Sequence, residues 1–318
     1  MDEGGVVNAP RPENANELRT VLAGFGIWGD RDLTVSPVLG GLTNSNYRVE
    51  VDGADGPFFV KVPGPGTEGF IDRATAAAAS LHAAEVGVGP AVYFQDPESG
   101  IEVGEFLDGY QTCTAWEVGL PDVCAELMSL FHSWNSGPPL PQTKTVFDMV
   151  DEHYEQVLRD GTTFPPWVQA VLSAYNEAKA RFMASGLDIV PCHNDPGAGN
   201  YMRSTAVPSK PMRLIDYDYA SNNERAYEIG VFVGFNFFDE AQTRHAIESY
   251  LGNWDPRFWA RVQVVRMVAD VKWGFWGLVN AKAWSGGDFD YFKYGLWDLR
   301  RALFETLAPD WDDQLRRV

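Results

Sequence analysis

Cysteine is scarce in this chain. Its 318 residues hold three, Cys113, Cys124 and Cys192, an odd number without a Cys-x-x-Cys pair. That excludes a disulfide scaffold and a zinc site of ordinary spacing. Cys192 abuts the densest polar cluster of the sequence and is read as a buried, inert thiol. No apolar run reaches the ~20 residues of a membrane span, so a bilayer is not expected as a partner. Residues 1–14 have neither a basic n-region nor an apolar h-region. They are expected to form a flexible tail on a cytoplasmic protein. Basic side chains are in deficit, 25 Lys and Arg against 44 Asp and Glu, for a formal charge of −19. Nucleic acid needs a basic surface and is excluded on that ground. An acidic cleft steers cations, which suits a small cationic ligand. No internal repeat is present, and a homodimer is left open.

What the chain does have is concentrated in residues 191–220, PCHNDPGAGNYMRSTAVPSKPMRLIDYDYA. Apolar residues precede both acidic clusters, Ile189 and Val190 before the first, Met212, Leu214 and Ile215 before the second. Short strand-like runs ending in carboxylates put charge at the mouth of a core. A single Asp or Asn in a loop is ordinarily a cap or turn residue. The ordered set His193, Asn194, Asp195, Asn200 and Asp216 fits phosphoryl transfer from a nucleotide. That chemistry needs a carboxylate to orient a hydroxyl and oxygen ligands for magnesium. Asp195 is the candidate catalytic residue, and Asn200 and Asp216 are the candidate metal ligands.

The order HNDxxxxN followed by IDYDYA resembles the choline/ethanolamine kinase branch of the aminoglycoside-phosphotransferase-like kinases. The similarity runs from about residue 39 to about residue 307. The loop GGLTNSNYRV, starting at Gly40, is similar to that branch's GG[ML][TS]NxNY. Between two strands such a loop lets backbone N–H groups approach phosphates. Gly40, Gly41, Thr43, Asn44 and Ser45 are therefore expected to bind the nucleotide. Lys61, in the strand-like run FFVKV, is expected to reach its phosphates. Residues 105–109 resemble the hinge that holds adenine through backbone groups, with Glu105 and Leu107 as its contacts. Residues 70–85 resemble the IDRxxE helix, whose Glu pairs with the strand lysine, but Ala76 stands at the Glu position. Glu68, Asp72 and Glu85 are the candidate substitutes.

Beyond residue 110 the periodicity is helical, over 121–134, 147–158, 167–183 and 258–284. His132 and His153 on these helices are read as packing residues, and His193 as a brace for the catalytic loop. Residues 221–235 depart from the family's pattern, with Glu228 for Asp, Val231 for Asn, and Phe235 where a Glu often lies near the ammonium. The run WGFWGLVNAK and the following DFDYFKYGL are similar to the family's WxxWxxxQAK and FxYxxY. The resemblance assigns Tyr219, Trp273, Trp276, Phe289 and Tyr294 to an aromatic acceptor pocket, with Asp218 adding negative charge beside it. Cation–π attraction contributes roughly 0.5–2 kcal/mol per ring as such a site dries.

The expected fold is α+β and protein-kinase-like. Residues 15–109 form a small antiparallel-sheet nucleotide lobe, and 110–318 a mostly helical lobe with the catalytic loop and acceptor pocket. ATP and magnesium are the implied cofactors, choline or ethanolamine the implied acceptor. A kinase of the same fold acting on an aminoglycoside or another amine-bearing metabolite stays open. So does a catalytically silent choline-binding protein, for which Ala76 is the only support.

Overall fold

Alternation of valine with polar residues builds the principal sheet. The computed structural model describes residues 12, 14–39, 44–64, 71–207, 209–283 and 289–318. Contacts divide the chain into two units, Met1–Gln111 with Met202–Tyr219, and Thr112–Tyr201 with Ala220–Val318.

In the first unit, β1 (Leu33–Val38), β2 (Asn44–Val51), β3 (Phe58–Pro63), β4 (Val92–Gln95) and β5 (Glu102–Glu105) form one antiparallel sheet in the order β1-β2-β3-β5-β4. Side chains alternate across a strand. One face presents Tyr47, Val49, Val51, Val60, Val62, Ile101 and Val103, and α1 (Ala15–Gly24) covers it with Leu18 and Leu22. The intervening residues, Lys61 and Glu102 among them, point to the opposite face. There α2 (Arg73–Glu85) begins at Asp72, whose side chain accepts from the Thr75 N–H at 2.8 Å. Gly104 is required in β5, because a Cβ there would lie 2.9 Å from the Ala91 carbonyl oxygen. Residues 202–219 join this unit through a small sheet of β6 (Tyr110–Thr112), β8 (Tyr201–Ser204) and β9 (Arg213–Leu214), and through the Leu214 N–H donating to Val88.

The second unit is mostly helical: α3 (Ala115–Val118), α4 (Pro121–Asn135), α5 (Val146–Arg159), α6 (Val168–Ser185), α7 (Arg225–Phe235), α8 (Glu240–Leu251), α9 (Pro256–Ala283), α10 (Tyr291–Thr306) and α11 (Trp311–Arg317). Helix α9 is buried along most of its length, with Val262, Val264, Val265, Met267 and Val268 all inside, so it is central. It packs against α5, α6, α7, α10 and α11. Its approach to α10 is backbone on backbone, since a Cβ on Gly277 would lie 2.7 Å from the Gly295 Cα. Among the described residues no helix is long and apolar enough to cross a membrane.

A two-stranded ribbon carries the catalytic loop. β7 (Ile189–Cys192) pairs antiparallel with β10 (Ser221–Glu224). All four β10 residues are buried although all are polar. Burial requires that their side chains find partners, and they do. Asn222 bridges the Leu140 N–H and carbonyl at 2.7 and 2.8 Å, and Asn223 accepts from the Val146 N–H at 2.8 Å. Glu224 pairs with Arg261 at 2.8 Å.

Candidate active site

Asp195 follows β7 by three residues and is half-buried. The backbone before it is strained, with Asn194 at φ 67°. Five hydrogen bonds hold this turn. The Asn194 amide donates to Ser221 Oγ at 2.8 Å and accepts from Asn223 Nδ2 at 2.9 Å. The His193 and Asn194 N–H groups donate to the two carboxylate oxygens of Glu228, at 3.0 and 3.1 Å. His193 Nδ1 accepts the Asp195 N–H at 3.3 Å, so His193 braces the loop as its position suggests. Glu228 is fully buried, and burial pushes its carboxyl up to about 7 against the pull of the two N–H donors. Asn200, at the end of a 3₁₀ turn, donates its side-chain amide to the Asp195 carbonyl at 2.9 Å and to Asp195 Oδ2 at 3.2 Å. The donating end of Asn200 thus fixes Asp195, and its oxygen end is left for other work.

The first unit carries the phosphate-side candidates. Lys61 on β3 lies 2.6 Å from Asp218 Oδ1, and Asn44 donates to Asp218 Oδ2 at 2.7 Å. Burial alone would drive Lys61 toward neutrality. Asp218, Glu102 and Asp216 more than offset it and hold the amine protonated, above its ordinary range. Burial opposes the Asp218 charge too, but Lys61 and Asn44 keep its carboxyl below the usual value. Asp216 sits at φ 66°, a conformation costly for a residue other than glycine.

Several expectations change here. Asp218 is not placed as a free charge for an acceptor, because its two oxygens are occupied by Lys61 and Asn44. Asn44 and Ser45 lie in β2 rather than in a loop, with Ser45 exposed and Asn44 turned to Asp218. Gly40, Gly41 and Thr43 lie outside the described residues, as does Glu68. Of the other two substitutes for the missing helix Glu, Asp72 is spent on its own helix and Glu85 is exposed at the far end of α2. At the hinge, the Glu105 N–H donates to the Ala91 carbonyl at 2.8 Å, and its side chain accepts from the Ala91 N–H at 3.2 Å. Leu107 lies in the following turn, its carbonyl accepting from Tyr110 at 3.2 Å.

The aromatic candidates of the second unit do converge. Trp273 and Trp276 have centroids 5.4 Å apart, Trp276 and Tyr294 5.9 Å, and Phe289 and Tyr294 5.6 Å. Tyr291 joins at 5.6 Å from Trp276, and Phe235 at 5.5 Å from Trp273. Phe235, which stands in place of an acid, is therefore a member of the cluster. Tyr219 is half-buried and belongs to the other unit. Two polar residues that sequence reasoning missed border these rings. Buried Lys272 places Nζ 2.9 Å from the Trp273 ring centroid, and burial drives its amine well below the ordinary range against the pull of Asp195 and Asp298. Asp298 is buried one helical turn after Tyr294, and burial pushes its carboxyl up to about 6. The i, i+4 spacing from Tyr294 to Asp298 was the available signal for the second.

The family model described as choline/ethanolamine kinase matches residues 35–251. The chain belongs to the choline/ethanolamine kinase family. Mouse choline kinase alpha is 25% identical over 66% of this chain, a match spanning only 56% of the mouse enzyme. A probable ethanolamine kinase A from Dictyostelium discoideum is 25% identical over 84% of this chain and 83% of its own. The crystal structure of a choline/ethanolamine kinase family protein from Mesorhizobium loti superposes with a TM-score of 0.80 at 23% identity, covering 95% of this chain and 98% of that one. Choline kinase LicA from Streptococcus pneumoniae gives 0.76 at 19% identity, covering 91% and 99%. The fold is the protein-kinase-like fold that this family shares with the aminoglycoside phosphotransferases.

Proposed function

We propose that this family member transfers the γ-phosphoryl group of ATP to the hydroxyl of a small amino alcohol, choline first and ethanolamine second. One observation carries the reading. Asp195 is locked by Asn200 through two hydrogen bonds, and its loop reaches the aromatic cluster, since a Cβ on Gly197 would lie 3.7 Å from the Phe235 ring. A fixed carboxylate next to a set of π faces is what orienting the hydroxyl of an amino alcohol requires. Asp195 accepts the hydroxyl proton or orients its donor. Trp273, Trp276, Phe289 and Tyr294 receive the amine end.

Magnesium fits the donor set. Each candidate carries a hard oxygen of the kind magnesium takes: Asn200 turns its amide nitrogen to Asp195 and keeps its oxygen, and Asp216 carries its carboxylate at a φ of 66°. When bound, the metal neutralises phosphate charge. Lys61, kept protonated by its carboxylates, holds nucleotide phosphates on the chain's own account. Support for a nucleotide comes also from the LicA structure, which was solved with AMP.

The test is an acceptor panel read by ADP release with MgATP. Choline or ethanolamine should give the highest kcat/KM. Asp195→Ala should lose phosphoryl transfer by 10²–10⁴-fold while still binding nucleotide. Full turnover in that variant, or an aminoglycoside preferred over both amino alcohols, would discard the proposal.

A further inference from the structure

Lys61 has lost the helix glutamate that the family pattern would set at position 76, and the geometry points to a replacement carried by the sheet. Glu102 stands directly opposite Lys61 in the antiparallel pairing of β3 with β5. Gln95 stands directly opposite Glu102 in the pairing of β4 with β5. Directly opposed residues share a face, with Cβ atoms about 4.5–5.5 Å apart. Lys61, Glu102 and Gln95 therefore form one polar row across three adjacent strands, on the face away from the valine core. The Glu102 end of the row is tied to α2. Gln95 Nε2 donates to Glu102 Oε2 at 2.7 Å and to the Ala77 carbonyl of α2 at 3.1 Å. Glu102 is half-buried and, after Asp218, is the strongest carboxylate influence holding Lys61 protonated.

We infer that Glu102 is the positioning residue for Lys61, and that Gln95 ties it to α2 in place of the direct helix-to-lysine ion pair. The inference rests on the reading of Lys61 as the phosphate-binding cation. The row keeps the mechanical link between helix and lysine, with one more member than a helix Glu would need. A second observation agrees. Between α2 and the sheet lies a cavity of about 220 Å³ lined by Lys61, Ala76, Ala77, Glu102 and Asp218. It occupies the place where a longer side chain at position 76 would lie. The alanines of α2 leave that space open, so what positions Lys61 besides Asp218 comes from the sheet.

This predicts a compensation. Glu102→Gln keeps shape and the Gln95 contact but removes the charge. Titration calorimetry with MgATP on the full chain should give a Kd raised about tenfold, equivalent to 1.4 kcal/mol, with the melting temperature unchanged within a few degrees. Ala76→Glu built into the Glu102→Gln background fills the cavity, supplies a carboxylate to Lys61 and should bring Kd back within threefold of wild type. Gln95→Leu, which cuts the tie to α2 and leaves the charge, should weaken nucleotide binding about threefold, and Ala76→Glu should rescue it too. Acceptor KM should move less than twofold throughout. Wild-type affinity in Glu102→Gln, or a double variant that is not rescued, would overturn the inference while leaving the kinase reading intact. Failure of the wild-type chain to bind MgATP would bring down both.

Discussion

Glu228 gives the sharpest prediction because its two effects have opposite signs and different pH dependence. Its carboxylate accepts the His193 and Asn194 N–H groups at 3.0 and 3.1 Å in a fully buried site. Glu228→Gln keeps one acceptor and presents an NH₂ group to the other N–H. A buried donor left without a partner costs about 1–3 kcal/mol. Against this stands the cost of burying the charge. The carboxyl titrates near 7 in the folded chain against an ordinary value of 4.5. A carboxyl raised on folding contributes stability that is fully present below the unfolded value and is lost as pH rises through the folded one. Each unit is worth 1.36 kcal/mol, so the loss between pH 5 and pH 8 comes to about 2.5 kcal/mol.

The variant does not suffer that loss. Glu228→Gln should therefore destabilise the protein at pH 5 and do so by about 2.5 kcal/mol less at pH 8, where it approaches or exceeds wild type. Urea unfolding at the two pH values measures the difference directly. A destabilisation that is the same at both, or larger at pH 8, would refute the account of Glu228 as a buried carboxylate spent on two N–H groups. Activity should fall at both pH values, because the Asn194 backbone is held against its strain by this contact.

Two further outcomes follow. Gly277→Ala places a Cβ 2.7 Å from the Gly295 Cα, and forcing α9 and α10 apart should cost about 1–3 kcal/mol, seen as a lower melting temperature with weakened acceptor binding. Burial and the charges of Lys272 and Lys144 push the His153 imidazole down to about 3, so its contribution is present above pH 6.5 and lost as pH falls. Unfolding at pH 5 should be easier by about 2 kcal/mol than at pH 7 on this account, and His153→Asn should flatten that limb.

The parts of the site that were legible in the sequence are those fixed by local order. Asp195 and Asn200 are five residues apart, and a 3₁₀ turn is enough to bring them together. Trp273 and Trp276 share a helix face by spacing alone. What was not legible depends on lateral pairing. Nothing in the run IEVGE reveals that Glu102 lies opposite Lys61, because strand register is set by the fold and a one-residue slip would move it to the valine face. Asp218 to Lys61 spans 157 residues, and Asn44 to Asp218 spans 174. Glu228 was visible as a departure from pattern, but its task appears only once β7 and β10 are paired. The strand Ser221–Glu224 was not legible for a related reason. Four polar residues in succession look like a solvated loop, yet each side chain is absorbed by a specific buried partner.

The two buried lysines show what the fold adds to such a reading. Lys61 and Lys272 have the same side chain and the same burial penalty, which favours the neutral amine. Three carboxylates around Lys61 reverse the penalty, and the amine stays charged. Around Lys272 the pull of Asp195 and Asp298 is too weak, Lys144 opposes it, and the amine is driven toward neutrality. Opposite outcomes suit opposite tasks. On the proposed phosphate-binding role of Lys61, a permanent cation is what the site requires. Beside Trp273 a permanent cation would occupy the ring face that an ammonium needs and would repel it. The charge preference of each lysine is thus set by the carboxylates that reach it, and those are a property of the fold rather than of the residue.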